Sequence, residues 1–142
     1  MTKIDPGVRF FTELAKVQAV LTRRLDNGLG GLGLSEFVIL LCLGEAKEGK
    51  MRRIDLAEAV GLTASGVTRL LLPMEKIGLV RRESNRDDAR SSFVLLAPGG
   101  KRKLEEGMTR AEELAVELIP AGKKTAMKDA SAFLADLAKN IR

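Results

Sequence analysis

The chain contains no histidine, tryptophan or tyrosine, and it has a single cysteine, Cys42. Without histidine, imidazole-bound zinc sites and the Ser-His-Asp and Cys-His arrangements of hydrolases are excluded. One cysteine cannot form an internal disulfide, so a reducing cytoplasm is the expected compartment. Carboxylate and lysine chemistry stay open, but no pair of titratable groups forms an evident acid–base or nucleophile site. We therefore predict a protein that is not an enzyme and that needs no cofactor or metal ion.

Long apolar runs are also missing. No stretch approaches the ~18 residues that a membrane-spanning helix needs, and the N-terminus lacks the charged head and apolar block of a signal peptide. Apolar residues nevertheless make up 45% of the chain, which indicates a folded protein rather than disorder. A chain of 142 residues is expected to form one domain, or a small domain with added helices. No membrane partner is expected.

The charge excess is modest, with 24 basic and 19 acidic side chains and a net charge of +5. Much of the excess is local, because nine basic and six acidic residues lie between Lys50 and Arg90. Basic charge in this segment suits a phosphate backbone. Taken alone, the charge is better explained by a solvated surface of mixed sign. The assignment therefore depends on where the arginines lie in the fold.

Apolar residues at helical spacing occupy both ends of the chain. They predict a first helix from about Pro6 to Asn27, ended by the glycine-rich run 28–33, and two more helices after Pro98, separated by residues 120–122. These terminal segments, residues 5–27 and 98–142, carry more apolar surface than a small domain needs. We predict that they are dimerisation helices of a homodimer. The alternative is that they cap the core of a monomer.

The centre of the chain has the pattern of a helix-turn-helix. An apolar helix capped by Ser35 is expected to be buried. Residues 55–60 then form a short helix, Gly61 supplies a tight turn, and Thr63 caps a longer helix that runs to about Ile77. Gly78 ends that helix in the manner of a C′ glycine. The stripe expected to be buried on the longer helix comprises Val67, Leu70, Leu71, Met74 and Ile77.

A strand–turn–strand pattern follows directly. Residues 79–83 and 92–96 read as strands joined by a turn at 85–90, and residues 51–53 form either a further short strand or a connector. A helix-turn-helix followed by such a hairpin is a winged helix. The predicted fold is therefore mainly α (α+β): a single chain, 1–142, with a winged helix-turn-helix DNA-binding region at 34–97 between the terminal dimerisation helices.

The first turns of the longer helix are the predicted DNA-reading surface, because that part of a helix-turn-helix enters the major groove. Small residues there let the backbone approach the duplex, hydroxyls can donate to phosphates or base edges, and Arg69 can pair with guanine or hold a phosphate. Free N–H groups at the helix start also favour a phosphate. The alternative is that small polar residues open many helices. The predicted contact residues are Thr63, Ala64, Ser65, Gly66, Thr68 and Arg69.

The turn at 85–90 supplies the second set of candidate DNA contacts. Arg86 and Arg90 flank two aspartates. Arginine at a wing tip can enter a narrow minor groove, where the potential is most negative, and Asp88 can orient the Arg90 guanidinium. The alternative is an exposed salt bridge of little energetic value. The helix-turn-helix upstream favours DNA.

From Leu34 to Gly100 the chain resembles the MarR family of bacterial transcription regulators. The segments LAEAVGLTASGVTRLL and MEKIGLVRR are similar to the family's helix-turn-helix and the start of its wing. DDARSSFVLLAPGG resembles the wing itself, in which an Asp-x-Arg, here Asp88 and Arg90, precedes an apolar strand and a Thr-x-x-Gly helix start. Two positions depart from the pattern: Ala89 stands where a second basic residue is often found, and Ala97 replaces the threonine cap.

The resemblance implies a homodimeric repressor or activator that binds palindromic promoter sites in double-stranded DNA. It also implies a small lipophilic or phenolic effector. The principal prediction is a ligand-responsive repressor. The alternatives are a non-specific or architectural nucleic-acid binder and a winged-helix protein-interaction module, which Ala89 slightly favours. One branch of the family senses oxidants through an N-terminal cysteine, whereas Cys42 lies in an apolar mid-helix run and is predicted to be structural.

Overall fold

The computed structural model describes residues 2–84 and 92–141. Six helices and a three-stranded antiparallel sheet are described, which confirms the predicted fold class. The elements run in the order α1 (Pro6–Leu25), α2 (Leu34–Glu45), β1 (Lys50–Arg52), α3 (Arg53–Val60), α4 (Ala64–Lys76), β2 (Val80–Ser84), β3 (Ser92–Leu96), α5 (Pro98–Leu118) and α6 (Lys124–Ile141). The chain divides into two compact units, Met1–Arg110 and Ala111–Arg142.

The core of the first unit is built around α2. Ile39, Leu40 and Leu43 are fully buried, as are Leu56 of α3 and Met74 of α4. The predicted burial of α2 is thus confirmed on this side of the helix. Val38, Leu41 and Cys42 are only half-buried.

The start of α2 corrects the prediction of a serine cap. Ser35 is exposed and lies inside the first turn, while Gly33 is the N-cap residue. The Gly33 backbone N–H donates to Glu36 Oε1 at 3.1 Å, so the carboxylate three residues later reaches back to the helix start. A glutamate at that position satisfies one of the N–H groups that a helix start leaves unpaired. The prediction that Ser35 caps α2 was wrong because the side chain that accepts a hydrogen bond at the helix start is that of Glu36.

The glycine-rich run is a folded loop rather than a simple break. Leu29 and Leu32 pair in an isolated antiparallel bridge, and both side chains are buried. Lys103 Nζ of α5 donates to the Gly30 carbonyl at 2.8 Å. Because the chain turns back here, α1 ends at Leu25, two residues before the predicted Asn27.

The sheet has the order β1-β3-β2. Met51 and Arg82 both lie opposite Val94, the buried centre of β3. The segment around Met51, for which the sequence left a short strand or a connector open, is therefore a strand. The predicted bounds of β3 are confirmed, and β2 begins at Val80, one residue later than predicted.

The connection between α4 and β2 meets the start of α5 in a close backbone contact between Leu79 and Gly100. The Ala97 N–H donates to the Leu79 carbonyl at 3.0 Å. A side-chain carbon at Gly100 would overlap that same carbonyl, so only glycine fits. This contact gives a physical reason for the glycine of the Ala97-x-x-Gly100 helix start.

The second unit comprises the end of α5, a turn at Gly122 and α6. It contains an apolar cleft of about 570 Å³ at the turn, lined in part by Val116, Ile119 and Met127. None of the described α6 side chains is fully buried. Across the described part of the chain, no helix has both the length and the apolar character that a bilayer crossing requires.

Candidate nucleic-acid interface

The turn between α3 and α4 is fixed by a Schellman motif at Gly61. Gly61 adopts φ 74° and ψ 27°, the left-handed region that favours glycine. Its N–H donates to the Glu58 carbonyl at 3.2 Å, and the Leu62 N–H donates to the Ala57 carbonyl at 2.9 Å. The predicted role of Gly61 is confirmed. Leu62, the next residue, is 37% exposed.

Thr63 is the N-cap of α4, as predicted. Its backbone is extended, and its Oγ1 accepts a hydrogen bond from the Gly66 N–H at 3.0 Å. The Ser65 hydroxyl lies 3.3 Å from the same oxygen. The cap therefore orders the first turn of α4 around one hydroxyl, with a second hydroxyl beside it.

Helix α4 has two distinct faces. Val67, Leu71 and Met74 are buried, while Ser65 and Arg69 lie exposed on the outer face. The six predicted contact residues of this helix fall within its cap and first two turns. Thr63, Ala64, Ser65 and Arg69 are exposed, whereas Gly66 and Thr68 are half-buried.

The far end of α4 differs from the prediction. The helix ends at Lys76, Ile77 is its C-cap, and Gly78 has φ 80°. Ile77 was expected in the buried stripe but is 70% exposed, because the chain leaves the helix there and the buried side chain beyond the turn is Leu79. Pro73 lies inside the helix.

Thr68 connects α4 to α3. Its hydroxyl donates to the Ala64 carbonyl at 2.9 Å and accepts a hydrogen bond from Arg53 Nη1 at 3.1 Å. Sequence reasoning missed Arg53, since its place beside the reading helix depends on the packing of α3 against α4. The only local signal was a basic residue at the start of the first helix of the helix-turn-helix.

The basic side chains near this surface fall into two groups. Arg52 Nε lies 2.9 Å from Asp55 Oδ2, Arg82 pairs with Glu75 at 3.1 Å, and Lys50 pairs with Glu83 at 3.2 Å. The hydrogen bond and the charge of Asp55 raise the pKa of Arg52 above its ordinary value. Within the described ranges 2–84 and 92–141, neither Arg53 nor Arg69 takes part in an ion pair. Near the start of α4, Arg53 and Arg69 are thus exposed cations that no described carboxylate pairs.

The sequence profile of the MarR family matches residues 32–92, which span α2, the helix-turn-helix and the strands up to the start of β3. The chain is also 30% identical over 106 residues to the HTH-type transcriptional repressor YetL of Bacillus subtilis. The protein belongs to the MarR family. The match covers 72% of this chain, and the chain spans 64% of the length of YetL.

Solved structures of other transcriptional regulators have the same fold. The transcriptional regulator BldR from Sulfolobus solfataricus superposes with a TM-score of 0.80 at 25% identity, covering 96% of this chain and 99% of BldR. The regulator MOSR of M. tuberculosis, solved in complex with DNA, has a TM-score of 0.72 at 24% identity, covering 94% of this chain and 96% of MOSR. The alignments with these two structures thus cover nearly the whole chain, beyond the segment that the family profile matches.

The predicted wing tip lies outside the described residues. The predicted contacts Arg86, Asp88 and Arg90 belong to the segment 85–91, so their positions remain predictions. The strands that lead to the segment are paired up to Ser84 and Ser92.

Cys42 occupies a half-buried position on α2. Burial, and secondarily the negative charge of Glu45, raise the pKa of its thiol above the ordinary value. A raised pKa lowers the thiolate fraction at neutral pH, and the thiolate is the reactive form. Among the described residues, no three histidine, cysteine, aspartate or glutamate side chains are grouped to hold a metal ion.

Proposed function

We propose that this MarR-family protein is a transcriptional regulator that binds a specific sequence in double-stranded DNA. The observation that carries the proposal is the exposed start of α4. There the capped first turn, small residues and Arg69 occupy one surface, and Arg69 is not neutralised by a described carboxylate. The second helix of a helix-turn-helix reads the major groove with this end. We assign no catalytic activity to the chain, and we place it in the cytoplasm.

We further propose that the protein binds DNA as a homodimer through residues 5–27 and 98–142. Helix α1 has no buried side chain among its described residues, and Phe11 and Val17 are 55% and 53% exposed. Helix α6 likewise leaves Phe133 and Ile141 exposed. Apolar faces of this extent favour a protein partner, and a two-fold dimer matches a palindromic site.

The wing is proposed as the second DNA contact. Arg86 and Arg90 would approach the minor groove, with Asp88 orienting the Arg90 guanidinium. The position of the hairpin, directly after the helix-turn-helix, supports this role. Arginine is favoured in narrow minor grooves by their negative potential.

We propose that the regulator is a repressor released by a small lipophilic or phenolic effector. The MarR resemblance and the name of YetL as a repressor support this part. The test is titration of the protein–DNA complex with a panel of small aromatic acids, beginning with salicylate, which carries a phenolic hydroxyl, and benzoate, which lacks it and serves as the control. We expect at least one probe to release the DNA at concentrations that do not lower the melting temperature of the protein. DNA affinity that no member of the panel changes would contradict an effector of this chemistry.

The experiment that tests DNA recognition compares a labelled duplex from upstream of the protein's own gene with a scrambled duplex, at two salt concentrations. We expect a preference of ~10³ or more for the upstream duplex. Equal, strongly salt-dependent affinity for both duplexes would instead identify a non-specific binder. Absence of binding even at low salt would favour the protein-interaction module.

A further inference from the structure

The hydrogen bonds of Thr68 show which side chain near the start of α4 is left with N–H or O–H donors for a ligand: Thr68 or Arg53. A threonine hydroxyl has one proton to donate, and the Thr68 proton is directed to the Ala64 carbonyl at 2.9 Å. Its oxygen accepts from Arg53 Nη1 at 3.1 Å. Thr68 is therefore an acceptor toward α3, and in this arrangement it has no proton for a phosphate or base.

Arg53 has the opposite properties. Its side chain is exposed, and a guanidinium carries five N–H donors, of which the described hydrogen bond to Thr68 uses one. Arg53 has no ion-pair partner among residues 2–84 and 92–141. A planar, permanently charged group with several donors is well suited to a phosphate.

The position of Arg53 specifies what it would meet. It is the first residue of α3, and its guanidinium is bonded to the second turn of α4. In a helix-turn-helix the second helix enters the groove while the first crosses the sugar–phosphate backbone. A cation that begins on the first helix and contacts the second therefore lies at the edge of the groove, where the phosphates are.

We infer that Arg53 binds a DNA phosphate at the edge of the major groove, and that Thr68 positions its guanidinium for that contact. The inference rests on the proposed duplex binding and adds a contact from α3. It assigns Thr68 an indirect role, in place of the direct DNA contact expected from the sequence. The pair also links α3 to α4, so both helices would meet the duplex in a fixed relative position.

Arg52 provides a matched control on the adjacent residue. Its Nε and Nη2 donate to the two carboxylate oxygens of Asp55 at 2.9 and 3.2 Å. Arg52→Ala and Arg53→Ala thus remove the same charge from neighbouring positions, one already paired and one directed to α4. A general loss of positive charge would affect both variants alike.

The experiment measures affinity for the upstream duplex as a function of salt in full-length wild type, Arg53→Ala, Arg53→Lys and Arg52→Ala. We expect Arg53→Ala to weaken binding roughly tenfold and to lower the slope of log K against log salt by about one, the effect of one lost phosphate contact. Arg53→Lys should keep the wild-type slope, because it keeps the charge. Arg52→Ala should stay within about twofold of wild type, since the Arg52 guanidinium is bonded to Asp55 on α3 and not to α4.

A double-mutant cycle tests the role of Thr68. Thr68→Val keeps the shape and removes the hydroxyl; we expect it to weaken binding several-fold in the wild-type background and to have no further effect in Arg53→Ala. Equal losses in both backgrounds would instead mean that Thr68 contacts DNA directly. An unchanged salt slope in Arg53→Ala, with a lowered melting temperature, would overturn the inference and leave a structural role. If wild type itself binds neither duplex, the proposed function fails and this inference with it.

Discussion

At the scale of single residues, the candidate interface contains two kinds of basic side chain: those paired with a carboxylate, and those without such a partner among the described residues. Lys50, Arg52 and Arg82 each lie against a carboxylate, whereas Arg69 extends from the exposed face of α4 without one among the described residues. Exposed ion pairs contribute little to stability. Arg69 differs from these three in that no described carboxylate competes with a phosphate for its guanidinium.

The first prediction concerns Arg69. If Arg69 reads a base edge, Arg69→Ala should lower affinity for the preferred duplex by about 1–3 kcal/mol and narrow its preference over a scrambled sequence. The measurement is competition binding with single-base-pair variants of the preferred site. A uniform loss across all variants would mean that Arg69 holds a phosphate. Unchanged affinity and preference would remove Arg69 from the interface.

Cys42 carries the second prediction. Because burial raises the thiol pKa in the folded protein, the neutral thiol is the form that the fold favours. Its contribution to stability is present below the ordinary thiol pKa and is lost as the pH rises through the raised value. We expect iodoacetamide at pH 8 to modify the folded protein more slowly than the urea-unfolded chain, with a rate that increases steeply with pH.

Peroxide provides the functional counterpart. DNA binding should persist at peroxide doses that spare the fold, in wild type and in Cys42→Ser alike. If peroxide releases DNA from the wild type but not from Cys42→Ser, Cys42 is a redox sensor and its structural role is contradicted.

At the scale of elements, capping residues define where the reading helix begins. Thr63→Ala removes the hydroxyl that accepts from the Gly66 N–H, and it should lower the free energy of unfolding by about 1 kcal/mol. Thr63→Ser keeps the hydroxyl and should stay close to wild type. Urea denaturation of the three proteins measures the difference. Equal loss in alanine and serine variants would show that the methyl group, rather than the cap, matters.

Two glycines test different physical constraints. A side chain at Gly61 meets open space, so Gly61→Ala should cost only the left-handed backbone penalty, about 1 kcal/mol, and Gly61→Asn less. Gly100→Ala forces a methyl group against the Leu79 carbonyl and should cost more, on the order of 1–3 kcal/mol through backbone shifts. Thermal and urea unfolding of the two alanine variants measure which substitution lowers the free energy of unfolding more. Equal costs at both positions would contradict the close contact at Gly100.

The success of the sequence prediction varies with the range of the interaction. Thr63, Gly61 and Gly78 were predicted correctly because caps and left-handed turns depend on a few adjacent residues. Ser35 was wrong because an equally local competitor, Glu36, reached the helix start. Arg53 was missed because its contact with Thr68 joins residues fifteen positions apart.

At the scale of the whole molecule, the exposed apolar faces of the terminal helices carry the last prediction. Phe11→Gln should weaken the proposed homodimer, because it removes a large apolar side chain that is 55% exposed in the single chain. Thr12→Gln, at the neighbouring exposed position, is the control and should leave assembly unchanged. Sedimentation equilibrium measures the dissociation constant directly.

The same variants link assembly to DNA recognition. A dimer that reads two half-sites should lose affinity for the palindrome when Phe11→Gln separates it, whereas affinity for a single half-site should change little. Wild type that sediments as a monomer at all concentrations would favour the alternative, in which the terminal helices cap a monomeric core.

The sequence alone determined the fold class, the order of the six helices and of strands β2 and β3, and the segment that matches the MarR family, since periodicity and capping are local. It also selected the six candidate residues at the start of α4. The tertiary structure decided which cations are paired, that Ile77 is exposed, that Gly100 meets the Leu79 carbonyl, and that Arg53 lies beside Thr68. Each of these depends on how two elements pack together, and that packing sums many weak contacts which no short stretch of sequence contains.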